Sequence, residues 1–125
     1  MILVDSSAWI NAGFSLRSLV NETKGQVVAV CPPIVHELLQ GTEDESRYHL
    51  TRMLLGTARM LDAPMPLERF EEAARIYLAC RDAGYTIRSS YDCLIAACAI
   101  AHSVPVLSDD SDFRYLARVT PMQLL

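Results

Sequence analysis

The chain has 125 residues, of which 51% are hydrophobic and 21% charged, and a net charge of −4. That length fits one domain spanning residues 1–125 with one core, and that apolar content excludes a disordered chain. No apolar run approaches the ~20 residues that cross a bilayer, and Met1 leads into Ile2-Leu3-Val4-Asp5 without a charged leader or cleavage site, so a cytoplasmic protein is expected.

Ile2-Leu3-Val4 predicts a short strand, and Asp5-Ser6-Ser7 places helix-capping residues ahead of Ala8-Trp9-Ile10. Residues 21–26, with Lys24-Gly25, predict a loop before a second strand, Val27-Val28-Ala29-Val30. Pro32-Pro33 opens a helix that carries Glu37 and closes at Gly41. Residues 43–60 and 66–83 have helical spacing and predict a helical hairpin, with a short strand near Leu61. Ser89-Ser90 caps a helix over residues 91–103, so rich in Ala, Leu, Ile and Cys that it must be buried on most sides. Residues 104–107 predict a strand, 109–112 a turn, 113–118 a short helix and 122–125 a terminal strand. Near-continuous apolar strands alternating with helices predict a three-layer α/β/α domain, with a central, mostly parallel sheet of four to five strands.

Cys31, Cys80, Cys93 and Cys98 lie in apolar or helical contexts, with no C-x-x-C pair and no histidine at zinc-finger spacing. They are expected to be buried free thiols. The acidic balance disfavours a nucleic-acid partner at first sight, but five of the fifteen acids, Asp5, Glu37, Asp92, Asp110 and Asp112, would gather in one site and be partly neutralised by a bound cation. Ten of the eleven basic residues are arginine, the side chain best shaped to grip phosphate.

Right-handed crossovers place the ends of the strands at Val4, Val30 and Leu107 on one sheet edge, the edge where open α/β sheets bind ligands. Asp5 and Asp110 follow strands directly, Glu37 lies one turn into its helix, and Asp92 opens a helix that returns to the strand at Val104. Any one of these acids could be a helix cap or a partner of a helix dipole. Four together on one edge repel one another unless a cation sits among them. All-oxygen ligands point to Mg²⁺, or Mn²⁺ in its place, and to phosphodiester hydrolysis.

The segments Val4-Asp5-Ser6-Ser7-Ala8-Trp9-Ile10, Pro33-Ile34-Val35-His36-Glu37-Leu38-Leu39-Gln40-Gly41, Ser90-Tyr91-Asp92-Cys93-Leu94-Ile95-Ala96-Ala97 and Leu107-Ser108-Asp109-Asp110-Ser111-Asp112-Phe113 resemble, in order and spacing, the PIN-domain nucleases. The likeness is nearest to the VapC toxins of VapBC toxin–antitoxin systems and covers essentially the whole chain. It implies a PIN-like fold and a Mg²⁺- or Mn²⁺-dependent endoribonuclease with Asp5, Glu37, Asp92 and Asp110 as its acidic quartet. It also implies Asp112 as an auxiliary acid and metal ligand, and Ser7 as the supporting hydroxyl. The implied partners are a VapB antitoxin lying across the site, a second copy of the chain, and structured RNA, tRNA or ribosomal RNA. Asp109 departs from the family pattern and leaves the choice between Asp109 and Asp110 open.

His36-Glu37 begins an H-E-x-x-H motif, but Gln40 takes the place of the second ligand, which excludes a zinc protease. A receiver domain needs a late lysine, and the single lysine is Lys24. A Toprim-like site of Glu37, Asp110 and Asp112 leaves Asp5 and Asp92 unexplained. A module acting only by association is the alternative of a different class. His36, His49 and His102 are assigned structural roles, as is Trp9, and Arg88 is the first candidate for a substrate phosphate contact, ahead of Arg17, Arg114 and Arg118. Leu50, Met53, Leu54, Leu55 and Met60 make more apolar surface than one helix face needs and point to a partner or dimer groove.

Overall fold

A computed structural model describes residues 1–125. Four parallel strands form the sheet in the order β3-β2-β1-β4: β1 is Ile2–Val4, β2 Val28–Val30, β3 Arg59–Met60 and β4 Val106–Leu107. A single parallel bridge between Val106 and Leu124 extends this order by the start of a fifth strand. β1, wholly buried, lies at the centre because Ile2, Leu3 and Val4 present apolar side chains to both layers of helices. The chain moves outward from β1 to β2 and β3, then returns to place β4 on the other side of β1. That reversal puts the switch point at the carboxyl end of β1, directly before Asp5.

Seven helices surround the sheet: α1 (Ser6–Asn11), α2 (Leu16–Glu22), α3 (Pro32–Gln40), α4 (Glu45–Leu55), α5 (Leu67–Asp82), α6 (Ser90–His102) and α7 (Asp112–Val119). Every residue of α6 from Asp92 to Ala99 is buried, and its small side chains let α3, α5 and α7 pack against it. Three features differ from the sequence expectation. The segment after Asp5 is two helices, because Gly13 and Phe14 both take left-handed backbone (φ 62° and 57°) and Ser15 starts α2 by accepting the Ser18 backbone N–H. α2 also runs through Asn21 to Glu22, so the loop is shorter than residues 21–26. The helix expected over 43–60 stops at Leu55, since Arg59–Met60 pairs with β2; α4 packs on α3 and α5 on α6, so the hairpin partners are exchanged.

Trp9 and Phe113 are the largest fully buried side chains, and the four cysteines are buried free thiols. Trp9 packs near Phe14, with ring centroids 6.5 Å apart, and belongs to the core. No helix is long and apolar enough to cross a membrane.

Candidate active site

Five acidic side chains meet at the carboxyl ends of β1 and β4. Ligand oxygens of Asp5, Glu37 and Asp92 lie within 4.8 Å of one another, and so do those of Asp92, Asp110 and Asp112. Asp92 belongs to both triads. Asp5 ends β1, Glu37 projects from α3, Asp92 from the first turn of α6, Asp110 from the turn after β4, and Asp112 opens α7. The backbone N–H of Asp5 donates to the Leu107 carbonyl at 2.9 Å, which ties the ends of β1 and β4 together.

Helix capping does not account for Asp5. Asp5 stands at the N-cap position of α1, yet its side chain makes no capping bond. Its Oδ2 instead accepts from Ser7 Oγ at 2.8 Å and Ser108 Oγ at 2.9 Å. Glu37 Oε2 accepts from Ser6 Oγ at 3.0 Å. Glu37 Oε1 and Asp92 Oδ2 are buried with no hydrogen-bond partner in the protein, and a buried polar atom left unpaired costs about 1–3 kcal/mol, more when charged. Two unit charges about 4 Å apart repel by roughly 4 kcal/mol at an effective dielectric near 20, so the cluster is costly as a set of bare carboxylates.

The electrostatics record that cost. Burial, first, and then Asp5, Asp110, Glu37 and Asp112 push the Asp92 carboxyl up to about 8. Glu37 is also raised, chiefly by burial and then by Asp5 and Asp110, with the Ser6 hydroxyl and His36 acting the other way. The chemistry of this donor set, hard oxygens with two left unpaired, fits a divalent cation such as Mg²⁺ or Mn²⁺. Asp5, Glu37 and Asp92 would hold it, with Asp110 adjoining.

Arg88 offsets the other triad. Its Nη2 donates to Asp110 Oδ1 at 3.0 Å, and its Nε and backbone N–H donate to Asp112 Oδ2 at 3.2 and 3.0 Å. The guanidinium is raised by Asp112 first and Asp110 next. Its side chain remains 70% exposed, so it can reach outward from the acids it bridges. Asp110 Oδ1 also accepts the Asp112 backbone N–H at 2.9 Å. Asp109, by contrast, turns to solvent and accepts from Asn11 Nδ2 at 2.8 Å, so of the two neighbours the structure brings Asp110 into the cluster.

Sequence reasoning missed two residues, Ser6 and Ser108. Ser108 donates to Asp5 and accepts the Asp110 backbone N–H at 3.0 Å, joining the two halves of the site. The available signal was a hydroxyl residue within two positions of the end of each of the two strands that lead into acids. Ser7 accepts the Asp109 backbone N–H at 3.0 Å and lies 3.2 Å from Ser108 Oγ. Ser7→Ala removes one of two hydroxyls on Asp5 Oδ2 and is expected to lower the cleavage rate about tenfold, with little change in melting temperature. Cleavage assays beside thermal melts check this. His36 hydrogen-bonds the Tyr91 hydroxyl and none of the acids, and His49 pairs with Glu45 on the surface. A Toprim-like set of Glu37, Asp110 and Asp112 leaves out Asp5 and Asp92, which both lie inside the cluster.

Beside Glu37, between α1 and the α3–α4 pair, runs a groove of about 610 Å³ whose mixed lining sets Ile10, Phe14, Leu38, Leu50 and Leu54 among polar residues that include Glu43 and Arg47. Of the apolar set expected to face a partner, Leu50 and Leu54 line the groove, Met53 and Met60 are exposed, and Leu55 belongs to the core.

Residues 2–119 match the PIN domain. The chain belongs to the PIN-domain family. Within it the kinship is to VapC ribonucleases: the chain is 37% identical to the ribonuclease VapC11 of Mycobacterium tuberculosis and to a VapC ribonuclease of Mycobacterium bovis, covering 98% of this chain and 96% of each relative. The PIN architecture recurs in solved structures, among them VapBC2 of Rickettsia felis bound to a promoter DNA fragment, with a TM-score of 0.78 at 17% identity over 100% of this chain and 98% of that one. DNA-bound VapBC of Salmonella typhimurium gives a TM-score of 0.77 at 17% identity over 99% and 96%. The sequence expectation of a PIN-like ribonuclease fold of the VapC type therefore holds.

Proposed function

We propose that this VapC-family PIN domain is a Mg²⁺-dependent endoribonuclease, with Mn²⁺ able to substitute, that cleaves structured RNA, tRNA above all, and is held inactive by a VapB-type antitoxin. The observation that carries the reading is the pair of carboxylate triads sharing Asp92, with buried oxygens of Glu37 and Asp92 left without partners. Asp5, Glu37, Asp92 and Asp110 are the catalytic acids and Asp112 the auxiliary one.

A divalent cation held by Asp5, Glu37 and Asp92 would supply Lewis acidity for hydrolysis of a phosphodiester. The chain's own groups do the rest. Ser7 and Ser108 fix the Asp5 carboxylate, and Ser6 fixes Glu37. Asp92, drawn to hold a proton when the cation is absent, gives it up when the cation binds. No histidine reaches the cluster as an acid–base pair for a 2′-hydroxyl, so attack by water and 5′-phosphate and 3′-hydroxyl ends are expected.

Arg88 is the proposed phosphate contact, moving from Asp110 and Asp112 to the substrate. Arg88→Ala is then expected to raise KM for RNA several-fold and to lower the steepness of its salt dependence by close to the one-phosphate value, about 0.7 for single strands. A series of KM measurements across salt concentrations reads both effects. The groove beside Glu37 is proposed to take the antitoxin, where a bound segment would cover the acids; the structural neighbours from Rickettsia felis and Salmonella typhimurium are themselves VapBC assemblies. A homodimer of the toxin completes the proposed assembly.

The deciding experiment incubates antitoxin-free protein with total tRNA and ribosomal RNA in Mg²⁺, Mn²⁺ and EDTA and maps every new 5′ end. Discrete metal-dependent cuts, lost in Asp5→Ala, support the reading. A folded protein that binds RNA or an antitoxin but cuts nothing in either metal would replace it with an association-only module.

A further inference from the structure

A second cluster of ligand-type side chains lies at the opposite end of α6 from Asp92. Cys98 and His102 are one helical turn apart on one face, and the loop after β3 brings Asp62 against both. One ligand atom from each, the Cys98 sulfur, a His102 nitrogen and an Asp62 oxygen, lies within 4.8 Å of the others. Ten residues of helix, roughly 15 Å of rise, separate His102 from Asp92, so this cluster shares no residue with the carboxylate triads.

The arrangement is that of a metal site carrying protons in place of the metal. Asp62 Oδ1 is 2.8 Å from His102 Nε2, and the Cys98 sulfur lies within 4.8 Å of an Asp62 oxygen. Asp62 Oδ2 accepts from Arg69 Nε at 2.9 Å, leaving Oδ1 for a ligand while the guanidinium orients the group from behind. The Asp62 side chain is 7% exposed and that of His102 35%, while Cys98 is buried, so solvent reaches the cluster at the imidazole.

We propose that Asp62, Cys98 and His102 form a second metal site, for Zn²⁺ or a similar borderline divalent ion, with solvent at the fourth position beside His102. The mixed sulfur, nitrogen and oxygen set selects zinc-type ions and disfavours Mg²⁺, the opposite of the all-carboxylate cluster. Binding releases the Cys98 thiol proton and presents the neutral imidazole through Nε2. The ion would join the β3–α5 loop to the last turns of α6.

Cobalt(II) is the probe, because thiolate coordination gives it a near-ultraviolet charge-transfer band that a carboxylate site cannot produce. The full chain, reduced and titrated with Co²⁺, is expected to develop this band at one ion per chain and lose it when Zn²⁺ is added. Asp5→Ala is expected to keep the band and Cys98→Ser to abolish it. His102→Ala, which alters a half-exposed side chain and so tests the site should Cys98→Ser not fold, is expected to weaken Co²⁺ binding at least about tenfold. A wild type without the band, a band that survives Cys98→Ser, or one that His102→Ala leaves unchanged overturns the proposal.

Discussion

Asp92→Asn is expected to stabilise the metal-free protein while abolishing cleavage. Asp92 is 5% exposed, its Oδ2 has no partner, and its carboxyl is pushed up to about 8 by burial and by four neighbouring acids. At pH 8 and above, folding without a cation forces a charge into that place. A carboxamide of the same shape removes it. Each unit of displacement is worth about 1.4 kcal/mol, so after allowance for relaxation the gain is on the order of 3 kcal/mol, or roughly 10 °C in Tm for a domain of this size. The same change removes the ligand common to both triads, and RNA cleavage in Mg²⁺ is expected to fall by at least about a thousandfold. Thermal melts in EDTA together with cleavage assays in Mg²⁺ test both halves. A destabilised variant, or one that still cuts, would refute the electrostatic account of the site.

The wild-type protein carries the same conflict as a pH dependence. Asp92 and Glu37 both sit above their ordinary values, so between roughly pH 4 and 8 the folded chain holds more protons than the unfolded one. Stability without metal must therefore fall as pH rises through that window. Asp62, lowered by its His102, Cys98 and Arg69 partners against the opposing effect of burial, acts elsewhere. Its contribution is present above the ordinary aspartate value and is lost only as pH falls below about 4. Mg²⁺ competes with the protons at Asp92 and is expected to add little to Tm at pH 5.5. At pH 8 a concentration of one hundred times its Kd would add about 2.7 kcal/mol, close to 10 °C. Melting curves at the two pH values, each with Mg²⁺ and with EDTA, measure the difference. Equal shifts at both would mean that the cation does not displace protons from this cluster.

Much of the fold was legible because its signals are local. Apolar triplets at Ile2–Val4 and Val28–Val30, prolines at the start of α3 and the apolar run of α6 place their elements to within a residue or two. Two signals were non-local or weak. β3 is two exposed residues, Arg59 and Met60; a short strand was expected beside them near Leu61, but helical spacing runs straight through them and the pairing with β2 fixes where the helix must end. The break between α1 and α2 rests on a left-handed phenylalanine, which no pattern of hydrophobicity marks. The acidic cluster was legible for a different reason: parallel topology sends the ends of β1 and β4 to one edge whatever the loops do. The serines that aim those acids were less so, since a hydroxyl after a strand is equally a helix cap. Arg88 was found by its nearness to Asp92 in the chain, but its double hold on Asp110 and Asp112 depends on a turn that the sequence does not draw.

The pairing of β1 with β4 joins residue 3 to residue 106 and so sets the order in which the protein can come to life. During synthesis β1 can meet β2 early, but Asp5 has neither Ser108 nor Asp110 beside it until those residues have left the ribosome. A nascent chain that has reached only α6 carries three of the acids and lacks the wall that gathers them. The second triad, and the serine that joins it to Asp5, therefore wait for the last fifth of the chain.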